Sequence, residues 1–480
     1  MSKNTTLDIV NKLWSLCNLL KDDGVTYHQY VSELTYLLFL KMADETNTEE
    51  GIPESYRWNQ LEILEGIEQF DHYKLLLLKL GTAASGSSLL VQEIYVNAST
   101  CISKAKTLSQ LVKDIDELDW YNAKVEGLGD LYEGLLQKNA EEGKKGAGQY
   151  FTPRVLIDSI ISVMQPKLDD IIQDPAAGTG GFLIAARQWI NNKYDISLLN
   201  EAQQKRLYQK TFYGMEHVKD THRLALMNLM LHGLESSSNG GGIQYGDTLT
   251  SKGEKLPKAS LIITNPPFGT KKGGGLPSRN DFTFPTPNKQ LCFLQHIYRG
   301  LDHGGRAAVV LPDNVLYEGN VGKQIREDLM SKCDLHTILR LPTGIFYAQG
   351  VQTNVLFFTR GEGEQGNTKK VWIYDLRTNM PNFGKRNPLN RSHFKEFEEF
   401  YGSDPYGKNE RIETGPKGRY KCFNYNDLSK NNFNLDLTWL QDQSEKDTHD
   451  LPDPAVLAQN ALENMEDALE EIKNIIRSLA

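Results

Sequence analysis

Few cysteines and no long apolar runs set the first limits on what this sequence encodes. The 480 residues include five cysteines, scattered, odd in number and never in a C-x-x-C pair, which argues against a disulfide framework and a cysteine zinc site. No stretch reaches the roughly 18 apolar residues that span a bilayer. The start, MSKNTTLDIV, lacks the apolar region of a secretory signal. We therefore expect a cytoplasmic protein with reduced thiols.

The sequence also lacks an excess of basic residues and lacks a phosphate-binding motif. It carries 53 Lys and Arg against 62 Asp and Glu, a formal net charge of −9. If nucleic acid is the substrate, a local patch or another subunit must neutralise its phosphates. No G-x-x-x-x-G-K-[ST] motif and no helicase motif occur, and the histidines show no metal-ligand spacing. We therefore predict no bound metal.

The pattern of apolar residues divides the chain into segments. Residues 1–145 have helical periodicity and few strand signals, which predicts an all-α N-terminal domain. Residues 146–440 form the predicted catalytic domain, with its core motifs in 148–360, where short β-rich runs alternate with helical stretches. This alternation is typical of an α/β fold with a mostly parallel, Rossmann-like sheet. Residues 361–450 look loop-rich and mixed, and we predict a linker at 441–454.

A glycine-rich loop follows the first strand of the predicted sheet. The segment DPAAGTGG, 174–181, precedes a good helix start, and small residues there allow a tight turn that brings backbone N–H groups against a ligand. Glu216 and Asp247 end the next two strands, so three successive strands each end in a carboxylate on the ligand-binding side of an open sheet. Helix capping is the alternative role for each acid. Together they favour an adenosine-containing cofactor.

The acidic residue at the start of this loop narrows the choice of cofactor. Asp174 would repel a pyrophosphate, whereas it suits the cationic methionine end of S-adenosylmethionine. We therefore predict S-adenosyl-L-methionine in place of a dinucleotide or ATP.

The segment LIITNPPFGT, 261–270, ends the fourth strand with unusual chemistry. Pro266 and Pro267 carry no N–H and restrict the residues before them to extended backbone. The Asn265 side-chain oxygen and the Pro266 carbonyl can accept the two hydrogens of an amino group and direct its lone pair toward an electrophilic methyl. Phe268 offers a ring on which a base can stack. An ordinary turn after a buried strand is the alternative, but the order of the motifs favours a methyltransferase.

Five segments in this order resemble the adenine-specific DNA methyltransferases, and most closely the modification subunits of type I restriction-modification systems. The segments are GQYFTP (148–153), DPAAGTGGFL (174–183), YGME (213–216), GDTL (246–249) and NPPFG (265–269). The resemblance covers nearly the whole chain. It implies an S-adenosylmethionine-dependent methyltransferase fold, preceded by an α-helical domain and followed by a C-terminal helix. One departure from the family pattern is Ala177, where the family often has cysteine.

The resemblance also implies roles for individual residues. Glu216 would bind the cofactor ribose and Asp247 its adenine, and 148–153 would wrap its methionine end. The residues implied to bind the cofactor are Gly148, Gln149, Tyr150, Phe151, Thr152, Pro153, Asp174, Pro175, Ala176, Gly178, Thr179, Gly180, Glu216 and Asp247. Those implied to act on a flipped adenine are Asn265, Pro266, Pro267 and Phe268. Lys271, Lys272 and Arg279 follow directly and are expected either to touch phosphates beside that base or to lie in a solvated loop.

Sequence recognition and assembly are expected to involve other chains. Residues 361–450 contain no excess of basic residues suited to reading DNA unaided, so we expect a separate specificity subunit beside double-stranded DNA. A strict a/d seam runs through 455–480 after Pro454, formed by Ala455, Ala458, Leu462, Met465, Leu469, Ile472, Ile476 and Leu479. This helix either docks on the specificity subunit or folds back on its own core. The resemblance adds a second modification subunit and a restriction subunit, and no membrane.

Two alternatives to DNA modification stay open at this point. A methyltransferase acting on a protein glutamine uses a similar NPP motif, although Phe268 stands where tyrosine is expected and the helical flanks argue against it. A non-catalytic scaffold would keep the fold only for assembly, which the intact Asn265, Glu216 and Asp247 oppose.

Overall fold

A computed structural model describes most of the chain. The described residues are 6–16, 27–118, 120, 134, 152–232, 234, 242–269, 276–346, 351–381, 383 and 387–440. Contacts divide the chain into two compact units, the first made of residues 1–151, 177–188 and 194–246, and the second of 152–176, 189–193 and 247–480. No helix within the described ranges has the length and apolar character that crossing a membrane requires.

Fifteen α-helices and nine strands occur within the described residues. The helices are α1 Thr6–Ser15, α2 Tyr27–Thr46, α3 Trp58–Glu62, α4 Gly66–Leu80, α5 Leu89–Tyr95, α6 Ala105–Asp116, α7 Arg154–Met164, α8 Gly181–Lys193, α9 Glu201–Gln209, α10 Lys219–Leu231, α11 Lys289–Gly300, α12 Asn314–Tyr317, α13 Asn320–Lys332, α14 Lys395–Tyr401 and α15 Tyr425–Lys430. The strands are β1 Ile172–Asp174, β2 Phe212–Glu216, β3 Gly242–Tyr245, β4 Ala259–Thr264, β5 Leu301–Pro312, β6 Cys333–Arg340, β7 Thr353–Arg360, β8 Lys370–Asp375 and β9 Tyr420–Asn424.

The N-terminal helices of the first unit share a hydrophobic core with α10. Leu224, Leu226 and Met227 of α10 belong to the same buried cluster as apolar residues of α2, α4, α5 and α6. Arg223 joins the two parts: its Nε donates to the Ile94 carbonyl at 2.6 Å and its Nη2 to the Val96 carbonyl at 3.1 Å. Both carbonyls lie at the end of α5, where a helix leaves such acceptors without partners of its own. The predicted all-α character of this region is confirmed for its described residues.

The strands carry the sheet predicted from the sequence. In the first unit β2 pairs with β3 in parallel. In the second unit the strand order is β1-β4-β5-β7-β6-β8-β9, with β1–β4, β4–β5 and β6–β8 parallel. Strands β7 and β9 run antiparallel to their neighbours. Because β1, β4, β5 and β6 point the same way, their carboxyl ends share one edge, which places Asp174 and Asn265 at that edge.

The prediction that 361–450 is loop-rich was wrong for part of that segment. Strands β8 and β9 and helices α14 and α15 lie in it. The apolar stretch of β8 packs Val371 and Ile373 into the core of the second unit. The two strands are short and stand far apart in the sequence, with residues 376–419 and helix α14 between them, so their periodicity is diluted over the segment.

A buried ion pair fixes the end of α7. Arg306, which is 1% exposed, donates from Nη2 to Asp170 at 2.8 Å and from Nε to the Met164 carbonyl at 2.9 Å. Burial raises the Asp170 carboxyl pKa, but the Arg306 guanidinium, the Ser260 hydroxyl and the Lys167 N–H together outweigh burial and hold that pKa below its ordinary value. Arg306 therefore holds the C-terminal end of α7 against the sheet.

We expect Arg306→Met to lower the free energy of unfolding by about 3 to 5 kcal/mol, because it leaves the Asp170 carboxylate buried without its cation. Urea denaturation measures the loss. Lys395→Met is the matched control, since the Lys395 side chain is 76% exposed and its pair with Glu399 spans 3.9 Å; it should change stability by less than about 0.5 kcal/mol. Equal effects of the two substitutions would contradict a structural role for the buried pair.

Candidate active site

The glycine loop after β1 has the open backbone that the sequence predicts. Gly178 and Gly180 have φ angles of +55° and +86°, a region that favours glycine. A Cβ on Gly180 would lie 3.1 Å from Ile243 Cδ1, whereas a Cβ on Gly178 would meet nothing within 4 Å. Gly180 is thus required for packing, and Gly178 borders open space where a ligand can approach the backbone. Helix α8 begins directly after the loop, at Gly181.

Glu216, at the end of β2, is held by the loop and by the start of the next helix. Its Oε2 accepts from the Gly178 N–H at 3.0 Å and its Oε1 from the Val218 N–H at 2.6 Å. Burial raises the pKa of the Glu216 carboxyl, and these two backbone N–H groups oppose the rise. The first unit therefore brings Gly178 and Glu216 together, as expected for two parts of one site. Thr179 is fixed nearby by its carbonyl, which accepts from Asn228 Nδ2 at 2.9 Å.

Within the second unit, the first residues of the glycine loop meet the segment after β3. Asp174 is 1% exposed and its Oδ1 accepts from the Ala176 N–H at 3.1 Å. The Pro175 carbonyl accepts from Thr248 Oγ1 at 2.5 Å. Asp247 is half-buried and accepts from the Leu249 N–H at 2.9 Å. Asp174 and Asp247 thus each hold a backbone N–H two residues ahead, a local turn that fixes the carboxylate in place.

The NPPF segment presents an acceptor that has no protein partner. Asn265 Nδ2 donates to Thr152 Oγ1 at 2.9 Å. Asn265 Oδ1 is screened from solvent and accepts no hydrogen bond from the described residues. A buried carbonyl oxygen without a donor is costly in a folded protein. Such an oxygen suits a site that receives a donor from a substrate.

Two prolines and an aromatic residue follow Asn265 in the sequence. Pro266 is buried, Pro267 exposed and Phe268 half-buried. The ring of Phe268 meets the ring of Phe346 edge to face, with centroids 6.2 Å apart and planes at 79°. Phe346 was not predicted, because a lone phenylalanine in TGIF carries no motif.

Gly269, which closes the segment, is held by a side chain that the sequence did not reveal. In the orientation that satisfies both partners, the Gln290 amide oxygen accepts from the Gly269 N–H at 2.6 Å and its nitrogen donates to the Gly269 carbonyl at 3.2 Å. Gly269 has φ +100°, a backbone conformation that glycine tolerates. Helix α11 thereby fixes the chain immediately after Phe268.

Several predicted residues lie outside the described part of the chain. They are Gly148, Gln149, Tyr150 and Phe151, the two cations Lys271 and Lys272, the linker 441–454 and the heptad helix 455–480. Thr152 and Pro153 are described. Thr152 contacts Asn265, a role different from the cofactor contact that the resemblance implied, although one does not exclude the other.

Arg279 was expected either to touch phosphates or to lie in a solvated loop, and its buried environment fits neither expectation. Its side chain is 4% exposed and forms two hydrogen bonds to Asp281, at 2.7 and 2.5 Å. A further bond joins Arg279 to the Thr248 carbonyl at 2.9 Å, and the guanidinium stacks over Phe282. Beside it, burial lowers the pKa of His296 to about 3. Arg279 therefore has a structural role: it links Asp281 to the Thr248 carbonyl.

Comparison with known proteins identifies the family to which the chain belongs. The chain matches the N-6 DNA methylase family over residues 123–449 and the HsdM N-terminal domain family over residues 9–115. It is 47% identical to the type I restriction enzyme EcoKI methylase subunit of Escherichia coli K12, and 47% identical to the StySJI methylase subunit of Salmonella typhimurium LT2. Each alignment covers 98% of this chain and 95% of the relative.

A solved structure extends the likeness to the fold. The EcoKI M protein aligns with 98% of this chain and 96% of its own, at 43% identity and a TM-score of 0.60. The predicted fold class is confirmed, and the relationship favours DNA modification over the glutamine-methyltransferase and scaffold alternatives. The chain is a member of the N-6 DNA methylase family, and within it belongs with the methylase subunits of type I restriction enzymes.

Proposed function

We propose that this chain transfers a methyl group from S-adenosyl-L-methionine to the N6 amino group of an adenine in DNA. The observation that carries the proposal is the Asn265 Oδ1, which accepts no hydrogen bond from the described residues, while the Asn265 amide nitrogen donates to Thr152 Oγ1. That oxygen and the Pro266 carbonyl would accept the two amino hydrogens. With both hydrogens held, the lone pair on N6 is directed away from the ring and toward the methyl donor.

The residues of the glycine loop fit the proposed cofactor. Gly178 borders open space, and the Glu216 carboxylate beside it supplies an acceptor for ribose hydroxyls. When bound, S-adenosylmethionine supplies a sulfonium methyl, an electrophile that needs positioning more than a strong base. The proposed roles are Asp247 for the cofactor adenine, Asp174, Pro175, Ala176, Thr179 and Gly180 for the loop around it, and residues 148–153 for its methionine end.

The target base must leave the duplex to reach this chemistry. An adenine inside the helix is stacked and paired, so enzymes that act on its amino group extrude it. Phe268, half-buried beside Phe346, would stack on the extruded base. Phe268 and Asn265 together would hold the ring and its amino group in one orientation.

We propose that this chain works in a complex with other subunits, because it has no excess of basic residues for DNA binding. The net charge of −9 and the balance of acidic and basic residues in 361–450 lead us to assign sequence recognition to a specificity subunit. We propose that residues 455–480 dock on that subunit, in a cytoplasmic complex with a second copy of this chain and a restriction subunit.

Transfer of labelled methyl from S-adenosylmethionine to duplex DNA tests the proposal. The purified chain is assayed alone and with its specificity subunit. We expect label on DNA only when both subunits are present. Label on DNA from the chain alone would contradict the separate reader, and label on protein but not on DNA would contradict the reaction.

The contact between Thr152 and Asn265 gives a positioning prediction. Thr152→Val removes the hydroxyl that accepts from Asn265 Nδ2, so the amide is free to rotate and its oxygen loses its fixed direction. We expect kcat to fall about tenfold with little change in KM for DNA, since one neutral hydrogen bond contributes about 1 kcal/mol. Thr152→Ser, which keeps the hydroxyl, should restore kcat. Equal rates for Val and wild type would contradict the role.

A further inference from the structure

Gly269, the last residue of the NPPFG segment, is hydrogen-bonded at both of its backbone polar groups by one side chain. The Gln290 amide oxygen accepts from the Gly269 N–H at 2.6 Å, and the amide nitrogen donates to the Gly269 carbonyl at 3.2 Å. The space beside the Gly269 Cα is open, because a Cβ there would meet no described atom within 4 Å. Two hydrogen bonds to one residue fix its direction as well as its position. Gln290 therefore sets the path of the chain directly after Phe268.

Gln290 is in turn held by the residue that caps its helix. Gln290 is 4% exposed and Asn288 is 7% exposed. The Gln290 amide nitrogen donates a further hydrogen bond to Asn288 Oδ1, which also accepts from the Leu291 N–H at 3.2 Å. If the Gln290 amide turned over it would lose its bonds to Gly269 and Asn288, and a buried amide without partners is costly. The Gln290 amide is therefore fixed in one orientation.

The chain of hydrogen bonds continues from Asn288 to a carboxylate beside α12 and α13. Asn288 Nδ2 donates to Glu318 Oε2 at 2.9 Å, and the same oxygen accepts from Asn314 Nδ2 at 3.4 Å. Glu318 follows α12 directly and packs closely on α13, where a Cβ on Gly322 would approach Glu318 Cβ to 2.8 Å. Glu318 and Asn288 thus connect Gln290 to the helices that follow β5.

We propose that Gln290 is a positioning residue for methyl transfer, which acts through Gly269 on the residues that hold the target base. Phe268 stands one position before Gly269, and Pro266 three positions before it. The inference rests on the proposed function, in which the Phe268 ring stacks on the adenine and the Pro266 carbonyl accepts one of its amino hydrogens. Misplacement of a reactant by about 1 Å costs about 100-fold in rate. Loss of the Gln290 contact should therefore slow the chemical step.

Gln295 provides a matched comparison on the same helix. It is 0% exposed, its Oε1 accepts from the Phe284 N–H at 3.0 Å, and its Nε2 donates to the Phe284 carbonyl at 2.8 Å. Gln290 and Gln295 thus make the same pair of bonds, the first to the NPPFG segment and the second to a residue outside it. Because leucine at either position removes such a pair, both variants should lower the thermal midpoint by similar amounts.

Single-turnover transfer of labelled methyl, with the specificity subunit and saturating S-adenosylmethionine, separates the two positions. We expect Gln290→Leu to lower the rate about 10- to 100-fold and Gln295→Leu to stay within about threefold of wild type. The Kd for S-adenosylmethionine should stay at the wild-type value in both variants. Equal losses of rate in the two variants, or a Gln290→Leu rate within about threefold of wild type, would overturn the positioning role.

A conservative variant adds a signature that lost stability alone would not give. In Gln290→Glu an ionised carboxylate faces the Gly269 carbonyl and Asn288 Oδ1 without a hydrogen to donate, whereas the protonated carboxyl regains one donor. Burial, and the negative charge of Glu318 beyond Asn288, both raise the pKa of the introduced carboxyl. The rate of Gln290→Glu relative to wild type should therefore rise as pH falls from about 8 to about 5.5. A constant ratio over this range would overturn the proposal.

Hydrogen exchange of the full chain, followed by mass spectrometry, tests the contact without the reaction. Pro266 and Pro267 carry no amide hydrogen, so the Gly269 N–H is one of the few that report from this segment. We expect this amide to exchange about tenfold faster in Gln290→Leu and at the wild-type rate in Gln295→Leu. Unchanged exchange in Gln290→Leu would overturn the contact. Because the measurement needs neither cofactor nor DNA, its failure leaves methyl transfer to be judged separately.

Discussion

Replacing Asn265 with alanine is expected to lower kcat for methyl transfer to DNA by about 10² to 10³-fold, the usual cost of removing one preorganised electrostatic contact to a reacting group. Alanine removes the only side-chain oxygen of the NPPF segment, and that oxygen has no other partner among the described residues. The amino group of the base then keeps its conjugation with the ring, which weakens it as a nucleophile. Single-turnover transfer of labelled methyl measures the rate.

Two comparisons separate chemistry from folding in this experiment. The Kd of the Asn265→Ala variant for S-adenosylmethionine and its thermal midpoint should stay close to wild type, because Asn265 is half-buried and its one hydrogen bond is to a side chain. Asn424→Ala is the matched control, since Asn424 is exposed and its side chain does not cap the helix it precedes. An Asn265→Ala rate within about threefold of wild type would contradict the proposed role.

Replacing Glu216 with alanine should weaken S-adenosylmethionine binding by about 100-fold, measured by isothermal titration calorimetry. The substitution removes the acceptor of the Gly178 and Val218 N–H groups and the proposed acceptor for the ribose hydroxyls. Loss of charge-assisted hydrogen bonds of this kind costs about 1.5 to 3 kcal/mol. Glu201→Ala is the control, because Glu201 is exposed on the first turn of α9. Wild-type affinity for S-adenosylmethionine in the Glu216→Ala variant would show that Glu216 does not bind the cofactor.

The raised pKa of the Glu216 carboxyl makes a prediction about how affinity for S-adenosylmethionine depends on pH. Burial raises the Glu216 carboxyl pKa above its ordinary value, so the group takes up a proton at a higher pH than an exposed glutamate. The ionised form is the better acceptor for ribose hydroxyls. We therefore expect affinity to weaken as pH falls through this raised pKa, and Glu216→Gln to lose that dependence. A wild-type profile parallel to that of Glu216→Gln would contradict the assignment.

Sequence patterns located the strands and their ends well. The short β-rich runs predicted within 148–360 proved to be strands β1 to β7, because buried strands of a largely parallel sheet are nearly continuous apolar runs. Polar residues at the carboxyl ends of parallel strands are expected at the ligand-binding edge of a sheet, which is how Asp174, Glu216 and Asn265 were singled out from the sequence.

Contacts distant in sequence could not be predicted in this way. Thr152 and Asn265 are separated by 113 positions, and neither segment contains a pattern that predicts a contact with the other. Gln290 reaches Gly269 from a helix whose apolar pattern gives no hint of that contact. Arg279 was assigned to DNA because the preceding loop is basic, although Asp281, its main partner, stands only two residues further on.

The central claim is that the product is N6-methyladenine. Mass spectrometry of nucleosides from DNA modified by this chain with its specificity subunit, using deuterated-methyl S-adenosylmethionine, tests it directly. The account predicts a labelled methyl group on adenine N6 alone, and its absence when Asn265→Ala replaces the wild type. A labelled methyl on cytosine, or undiminished N6-methyladenine in the variant, would contradict it.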